Sequence, residues 1–190
     1  VSIVATAAPT INPDDLDQIH KYTDMQKPAY QRIFKVINTI RETNPLIEYV
    51  YIFRPGFSDE VLEFVADADS NYSNDLLTQP GAVDVIAPGT QYAKFYFADG
   101  FRDELWEKPM PDNFIVTDQW GSFYSATAPI FDNKIAVALI GVGMNVTDFQ
   151  SKLNDRFKPS LIFLIASILV IAIRILYLTI DIRSINNVSD

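Results

Sequence analysis

Apolar residues recur along the first third of the chain with the period of a helix. In residues 28–43 they fall every three or four positions, which places them on one face of an amphipathic helix. This face contains Tyr30, Ile33, Phe34, Ile37 and Ile40. Proline is tolerated in the first turn of a helix, so Lys27-Pro28 predicts its start, and Asn44-Pro45 predicts its end.

After this helix the period falls to two, the period of a half-buried strand. Residues 47–53 are rich in β-branched and aromatic side chains and predict a first strand, with a turn at Arg54-Pro55-Gly56. Residues 60–69 predict its hairpin partner. Residues 92–105 predict a short helix that ends at Gly100, although their aromatic content leaves a strand as the alternative.

The clearest strands lie in residues 115–144, where an alternating pattern is broken by a turn at Asp132-Asn133. An acid, an amide, an indole and a glycine, Asp118-Gln119-Trp120-Gly121, interrupt the start of this region. Thr147, with Gln150 three positions later, resembles a capping box and predicts a new helix. The pattern as a whole predicts an α+β fold with an antiparallel sheet, a helix on one face and loops on the other.

The last part of the chain is apolar over a length that suits a membrane. No residue in 161–173 is charged, and apolar residues resume in 175–180 after Arg174. As a helix, these positions would span about 30 Å, the thickness of a bilayer's hydrocarbon core. We therefore expect a transmembrane helix over residues 159–181. A buried core helix is the alternative, since the strictly uncharged run is short for a membrane span.

The remaining boundaries follow from that assignment. Residues 1–9 are small and apolar and are interpreted as a membrane-proximal segment, either the outer end of a preceding membrane helix or the remnant of a signal peptide. Residues 10–146 then form one domain outside the membrane, and residues 147–158 form a connecting helix. Residues 182–190 begin a cytoplasmic segment.

Composition excludes several classes of function. The chain has 190 residues, 48% of them hydrophobic, and a formal charge of −9, so it can bury a core but is a poor partner for nucleic acid. It has no cysteine and one histidine, His20, which excludes cysteine-based and multi-histidine metal sites. Neither an EF-hand spacing nor a glycine-rich phosphate loop is present in the sequence. We expect no metal, no cofactor and no enzymatic activity in this segment.

Several motifs occur in an order that resembles a known family. They are "KPAY" at the predicted helix start, "YVY" and "VADAD" on the first two strands, and "DQWG" followed by "SATAPI". Together they cover roughly residues 14–150 and resemble the single Cache domain, the extracytoplasmic PAS-like sensor of bacterial transmembrane receptors. One position departs from the family pattern: the last strand reads Gly141-Val142-Gly143-Met144, where relatives commonly carry an acid at the position of Gly143.

The resemblance implies a fold and a function. The fold would be a PAS-like antiparallel sheet with a long N-terminal helix, placed between two transmembrane helices. The domain would sit outside the cell membrane, bind a small molecule and pass a conformational change through the C-terminal helix to a cytoplasmic output domain, which can itself be an enzyme. The expected partners are that ligand, the membrane and a second copy of the chain in a homodimer.

Three residues near the interruption are the leading candidates for the ligand pocket: Asp118, Trp120 and Tyr124. An acid beside an indole and a phenol suits a cationic or amine-bearing small molecule. The structural alternative is that Trp120 fills the core and Asp118 caps a turn. Because the last-strand acid is missing at Gly143, Asp118 becomes a leading remaining anchor for an amine.

Five further candidates lie on or next to the first two strands. Asp67 and Asp69 are two residues apart and share a strand face, where they either hold a ligand amine or form a solvated strand end, the more common case. Tyr51 and Phe53 share a face in the same way and form either the pocket or the core. Arg54 would pair with an anionic group of the ligand or with one of the chain's own acids.

Two other functions remain open from the sequence. The domain could be a ligand-free dimerisation module in which residues 28–43 pack against a second copy. An exported enzyme that uses paired acids is the third hypothesis, although no recognisable motif places such a pair.

Overall fold

The structure is a computed structural model that describes residues 1–68, 86–94, 102–112, 114–118 and 121–186. The chain divides into two compact units, Val1–Asp148 and Phe149–Asp190. The first unit contains the sheet, and the described residues of the second form a helix. The first unit begins at residue 1, so the boundary predicted at residue 10 is not where the compact unit starts.

The first unit contains three α-helices in the described residues before its sheet begins. They are α1 (Ser2–Ala7), α2 (Pro13–Leu16) and α3 (Pro28–Thr43), with 3-10 turns at Ala8–Thr10 and Tyr22–Gln26. Proline stands at the first position of α3, where its missing N–H leaves no hydrogen bond unmade. On α3, Tyr30, Ile33 and Ile37 are buried, so its apolar face is the one that packs on the sheet.

Seven antiparallel strands form one sheet in the described part of the chain. They are β1 (Tyr49–Pro55), β2 (Val61–Asp67), β3 (Gln91–Ala93), β4 (Met110–Pro111), β5 (Val116–Asp118), β6 (Gly121–Asp132) and β7 (Ile135–Asn145). The spatial order is β3-β2-β1-β7-β6-β4, and β5 also pairs with β6. The first strand thus lies beside the last one, in the centre of the sheet. The predicted α+β class and antiparallel sheet are confirmed.

The central hairpin turns one residue later than predicted. Asp132 pairs with Ile135, and the two residues between them, Asn133 and Lys134, have φ angles of 45° and 73°. Two consecutive positive φ angles are the mark of a type I′ turn, whose twist matches that of the flanking strands. The turn is therefore Asn133-Lys134 rather than Asp132-Asn133. Asparagine tolerates the left-handed conformation that the first of these positions requires.

Two other local predictions are corrected by the structure. Residues 91–93 form strand β3, the alternative to the predicted helix, because Tyr92 pairs with Leu62 and packs in an aromatic cluster. A 3-10 turn, Asp103–Trp106, follows the predicted helix end at Gly100, and residues 95–101 lie outside the described ones. Strand β1 extends to Pro55, so Arg54 and Pro55 belong to the strand rather than to the turn.

The N-terminal segment is part of the core. Val4 is fully buried, and Ala7 and Ala8 are nearly so, in the same cluster as α3 and the central strands. Small side chains allow α1 to approach β6 and β7 closely. Residues 1–9, interpreted from sequence as a membrane-proximal segment, are thus packed as an element of the first unit.

The long C-terminal helix, α4, spans Val146–Asn186 and includes Pro159. Its first turn is capped by Asn145, whose side-chain oxygen accepts a hydrogen bond of 2.9 Å from the backbone N–H of Thr147. The cap is therefore the last residue of β7 and not Thr147, as the capping-box pattern suggested. An asparagine side chain satisfies a free N–H of the first turn well.

Within the second unit, α4 is the one helix among the described residues that is long and apolar enough to cross a membrane. The span is Asp155–Ile175, 21 residues, none of which is buried. It begins four residues before the predicted 159–181. Large apolar side chains exposed along a helix are unfavourable in water and favourable in a hydrocarbon core, which suggests an association with a membrane.

Candidate ligand-binding face of the sheet

Alternate residues of the central strands point to opposite faces of the sheet. Val50 and Ile52 of β1 lie in the core cluster that includes α1 and α3, and we call this side the helix face. The opposite side, which we call the aromatic face, carries a second cluster. Its buried members are Phe53, Leu62, Phe64, Tyr92, Leu105 and Leu139, with Tyr51, Ile86, Trp106 and Met110 partly buried against them.

Aromatic rings fill the part of this face that lies over β1 and β2. The ring centre of Phe53 lies 4.4 Å from that of Phe64, 5.1 Å from that of Tyr92 and 4.8 Å from that of Tyr51. These distances are typical of tilted and stacked aromatic pairs, which add stability beyond the area they bury. Tyr51 and Phe53, two predicted site residues, are therefore brought together on one face.

Tyr51 reaches from β1 across its neighbour β7. It pairs with Gly141, and a Cβ atom placed on Gly141 would lie 2.2 Å from the ring of Tyr51. Glycine is therefore required for the ring to lie against the β7 backbone. Gly143, two residues along the same face, differs: a Cβ there would meet Tyr49 and Ser125 at 3.5–3.8 Å, an ordinary contact distance. The sheet leaves room for a side chain at Gly143 but not at Gly141.

Thr127 lies in the same cross-strand row as Gly141 and Tyr51. On β6, Thr127 pairs with Gly141 on one side and with Met110 of β4 on the other. It is fully buried, and its Oγ1 has no hydrogen-bond partner among the described residues. A buried hydroxyl without a partner costs about 1–3 kcal/mol. The aromatic face thus carries a polar group that the fold itself leaves unsatisfied.

A carboxyl group lies at the next position of the same face. The backbone N–H of Asp112, just after β4, donates to the carbonyl of Ser125 at 2.9 Å, and the Ser125 side chain hydrogen-bonds the Asp112 carboxyl. The Oδ2 atom of Asp112 is buried and has no hydrogen-bond partner among the described residues. Burial raises the pKa of Asp112 above its ordinary value, although the charge of Arg102 and the bond from Ser125 act against this.

Asp67, a predicted site residue at the end of β2, is the cross-strand partner of Tyr51. It is 3% exposed, so its interpretation as a solvated strand end is wrong. Burial, and to a lesser extent the charge of Asp67, raise the pKa of the Tyr30 hydroxyl. A carboxyl group buried this deeply is stabilised by contacts with the protein and not by solvent.

The other predicted site residues do not lie together on the aromatic face in the described structure. Tyr124 pairs with Met144 and so lies on the helix-face side of β6, opposite to Tyr51, with 39% of its surface exposed. The backbone of Asp118, the last residue of β5, pairs with that of Gly121, the first residue of β6, whose φ of 136° favours glycine. Trp120, Asp69 and the side chain of Asp118 lie outside the described residues.

Arg54 and His20 have partners of their own. The guanidinium of Arg54 forms an ion pair with Glu63 on the neighbouring strand and donates to the carbonyl of Leu16 at 3.3 Å. This fits the prediction that it pairs with one of the chain's acids. His20 is exposed, and its Nε2 lies 2.7 Å from the carbonyl oxygen of Asp17.

Sequence reasoning missed Thr127, Ser125 and Asp112. Thr127 and Ser125 sit in an ordinary alternating strand, where hydroxyl residues are common. Asp112 follows Pro111 in a segment that reads only as a connection. No sequence signal marked these residues, because their burial depends on the pairing of β4 with β6.

Neither a comparison with protein-family models nor one with curated proteins gives a match to this chain. Among the described residues, no group of three or more His, Cys, Asp or Glu side chains is placed to hold a metal ion.

Proposed function

We propose that this chain is the ligand-sensing part of a membrane receptor, with a PAS-like domain of the single Cache type outside the membrane. In this proposal a small molecule binds on the aromatic face. Its binding changes the position of β7, and the change passes along α4 through the membrane to a cytoplasmic output domain.

The observation that carries the proposal is the combination of groups on the aromatic face. Ligand pockets are mostly apolar, with a few polar groups placed to orient the ligand. Here the aromatic rings of Tyr51 and Phe53 lie on the same face of the sheet as Thr127 and Asp112, whose buried oxygens have no hydrogen-bond partner among the described residues. A fold selected for stability alone has little reason to keep such groups, since each costs free energy when unpaired.

Chain connectivity supports the second half of the proposal. Strand β7 carries Gly141, against which the Tyr51 ring lies, and it ends at Asn145. Helix α4 begins at Val146 with no intervening residue, and its span Asp155–Ile175 is long and apolar enough to cross a membrane. A ligand shifts such a system only if it binds one of two states more tightly than the other.

The ligand-free dimerisation module remains the second candidate, because one observation favours it. A shallow groove runs between α1 and α3, lined by Ile3, Ala7, Val36 and Ile40 among others. A second copy of α3 packed along this groove would cover partly exposed apolar side chains. Such a module would need no ligand on the aromatic face.

The proposal is tested with the complete 190-residue chain in lipid nanodiscs. Its melting temperature is measured against a library that contains amines, carboxylates, sugars and nucleobases, and hits are confirmed by calorimetry. Ligands that bind the folded state raise the melting temperature. We expect at least one hit that Gly141→Ala abolishes and Gly143→Ala retains. A library without a hit, together with a dimer that dissociates when Val36 is replaced by Glu, would instead favour the dimerisation module.

A further inference from the structure

We infer that Asp112, Ser125 and Thr127 form a subsite on the aromatic face for the ammonium group of a small amine. We call these three residues the polar corner. The inference rests on the proposed function, since it names the ligand class of the same face. It moves the expected anchor for an amine from Asp118 to Asp112.

The positions of the three residues follow from strand pairing. Ser125 and Thr127 are two residues apart on β6, so both side chains lie on the aromatic face, about 7 Å from each other along the strand. Asp112 lies opposite Ser125, joined to it by a backbone hydrogen bond of 2.9 Å and a side-chain bond. The corner is bordered by Met110, which pairs with Thr127.

Two independent observations indicate a ligand at this place. Thr127 is fully buried with an unpartnered Oγ1, and the Oδ2 atom of Asp112 is buried and also unpartnered among the described residues. The Ser125 side chain hydrogen-bonds the same carboxyl, whereas Oδ2 makes no hydrogen bond within the described structure. Both oxygen atoms lie on the aromatic face and can accept a hydrogen bond from a ligand there.

The chemistry of these atoms selects a cation that donates hydrogen bonds. An ammonium group has three donors and no acceptor, and it gains a charge-assisted bond from a buried carboxylate. The ring of Tyr51, in the same row as Thr127, offers the aromatic surface on which a cation is also stabilised. Given the spacing along β6, the best ligand carries its ammonium at Asp112 and a second polar group within reach of Thr127.

Arg102 makes no hydrogen bond to Oδ2 of Asp112. Its Nη2 donates to the carbonyl of Pro111 at 3.0 Å, and it influences the Asp112 carboxyl through its charge. This charge favours the ionised carboxylate, the form that an ammonium needs. Bound ammonium would favour it further.

The test measures the binding of ethanolamine, 1,3-diaminopropane and L-serine to the full chain in nanodiscs, with ethylene glycol and acetate as probes that lack the ammonium group. Asp112→Asn keeps the shape and the bond to Ser125 but removes the charge. Asp59→Asn, at an exposed turn position, is the matched control. Thr127→Val keeps the volume and removes the unpartnered hydroxyl.

We expect at least one amine to raise the melting temperature of the wild-type protein. Asp112→Asn should weaken its binding by about tenfold or more, as expected for loss of a charged hydrogen bond, while Asp59→Asn leaves it unchanged. Thr127→Val should weaken binding and raise the melting temperature of the free protein, which a purely structural role of the hydroxyl would not do.

Other outcomes overturn the inference in distinguishable ways. Equal amine affinity for the wild type and Asp112→Asn excludes the polar corner as the ammonium subsite. Stabilisation by acetate or another class of compound, with no response to amines, overturns the amine assignment and leaves the sensor proposal standing. No response to any class in the full library would contradict the sensor proposal itself.

Discussion

The two faces of the sheet are built from the same strands but from different chemistry. The helix face is packed with aliphatic side chains such as Ile33, Ile37, Ile52 and Ile140, each 2% exposed or less. The aromatic face carries rings together with a threonine hydroxyl and a carboxyl oxygen that have no hydrogen-bond partner among the described residues. Burying apolar area stabilises a fold, whereas burying an unpaired polar atom costs free energy. Both faces therefore bury apolar area, but only the aromatic face, among the described residues, combines it with the unpaired oxygens of Thr127 and Asp112, which lower stability.

The largest effect is expected from a deletion on the helix face. Ile37→Ala removes a fully buried side chain of α3 and leaves a cavity, at a cost of about 2–5 kcal/mol in the free energy of unfolding. The matched control is Ile135→Ala, since Ile135 is 70% exposed. Urea unfolding followed by tyrosine and tryptophan fluorescence measures both. Similar losses for the two variants would mean that the helix face does not dominate stability.

A smaller effect is expected from Gly141→Ala on the aromatic face. The new methyl group would lie 2.2 Å from the ring of Tyr51 and must displace it, for which we expect about 1–3 kcal/mol of destabilisation. Gly143→Ala places its methyl group at 3.5 Å or more from its neighbours and should be neutral or slightly stabilising. The same unfolding experiment compares them. Equal effects at the two positions would contradict the close approach of Tyr51 to β7.

Thr127→Val should change stability in the opposite direction. Replacing the unpartnered hydroxyl by a methyl group of similar size removes a buried polar cost, and we expect a gain of about 1 kcal/mol. A gain in stability that accompanies a loss of ligand binding is the usual sign of a functional residue. Destabilisation by Thr127→Val would show that the hydroxyl is satisfied in solution and would weaken the contrast between the faces.

The smallest expected effect is a difference between Asp24 and Asp112 in how each changes stability with pH. Asp24 pairs with the Lys27 side chain and accepts hydrogen bonds from the backbone N–H groups of His20 and Lys21, and these contacts lower its pKa from 3.8 to about 2. Its contribution to stability is present above pH 3.8 and is lost as the pH falls toward 2. Asp24→Asn should cost about 1 kcal/mol at pH 7 and less at pH 3.

Asp112 should show the opposite dependence of stability on pH. Its pKa is raised in the folded protein, so its contribution is most favourable below pH 3.8 and declines as the pH rises through the folded pKa. Asp112→Asn should therefore reduce the loss of unfolding free energy as the pH rises above 3.8. Asp24→Asn should reduce the loss as the pH falls below 3.8. Unfolding measured at pH 3, 5 and 7 checks both. Identical profiles for the two variants would contradict the assigned environments.

Much of the fold was predictable because it follows from local periodicity. The apolar spacing in residues 28–43 and the alternation in residues 115–144 correspond to α3 and to the β6–β7 hairpin. Two element boundaries differ from those predicted by the local pattern. Asn145 caps α4 in place of Thr147, and the hairpin turn moves to Asn133-Lys134.

The candidate site was harder to predict because it depends on pairings between distant strands. Tyr51 and Phe53 were identified from their alternation, but the strand register places Tyr124 on the other side of the sheet. Asp112 becomes part of the face only because β4 pairs with β6, and the burial of Thr127 follows from the same arrangement. Contacts between residues far apart in sequence leave no periodic signal.

The most direct test of the central claim is methyl NMR of the full chain in nanodiscs, with labelled Leu, Ile and Met, during titration with the best-binding amine. Met110 and Leu139 report on the aromatic face, and Ile33, Ile37 and Ile140 report on the helix face. We predict saturable shifts at Met110 and Leu139 that exceed those at the isoleucines and disappear in Asp112→Asn. Shifts confined to the helix face, or shifts that persist in Asp112→Asn, would contradict the account.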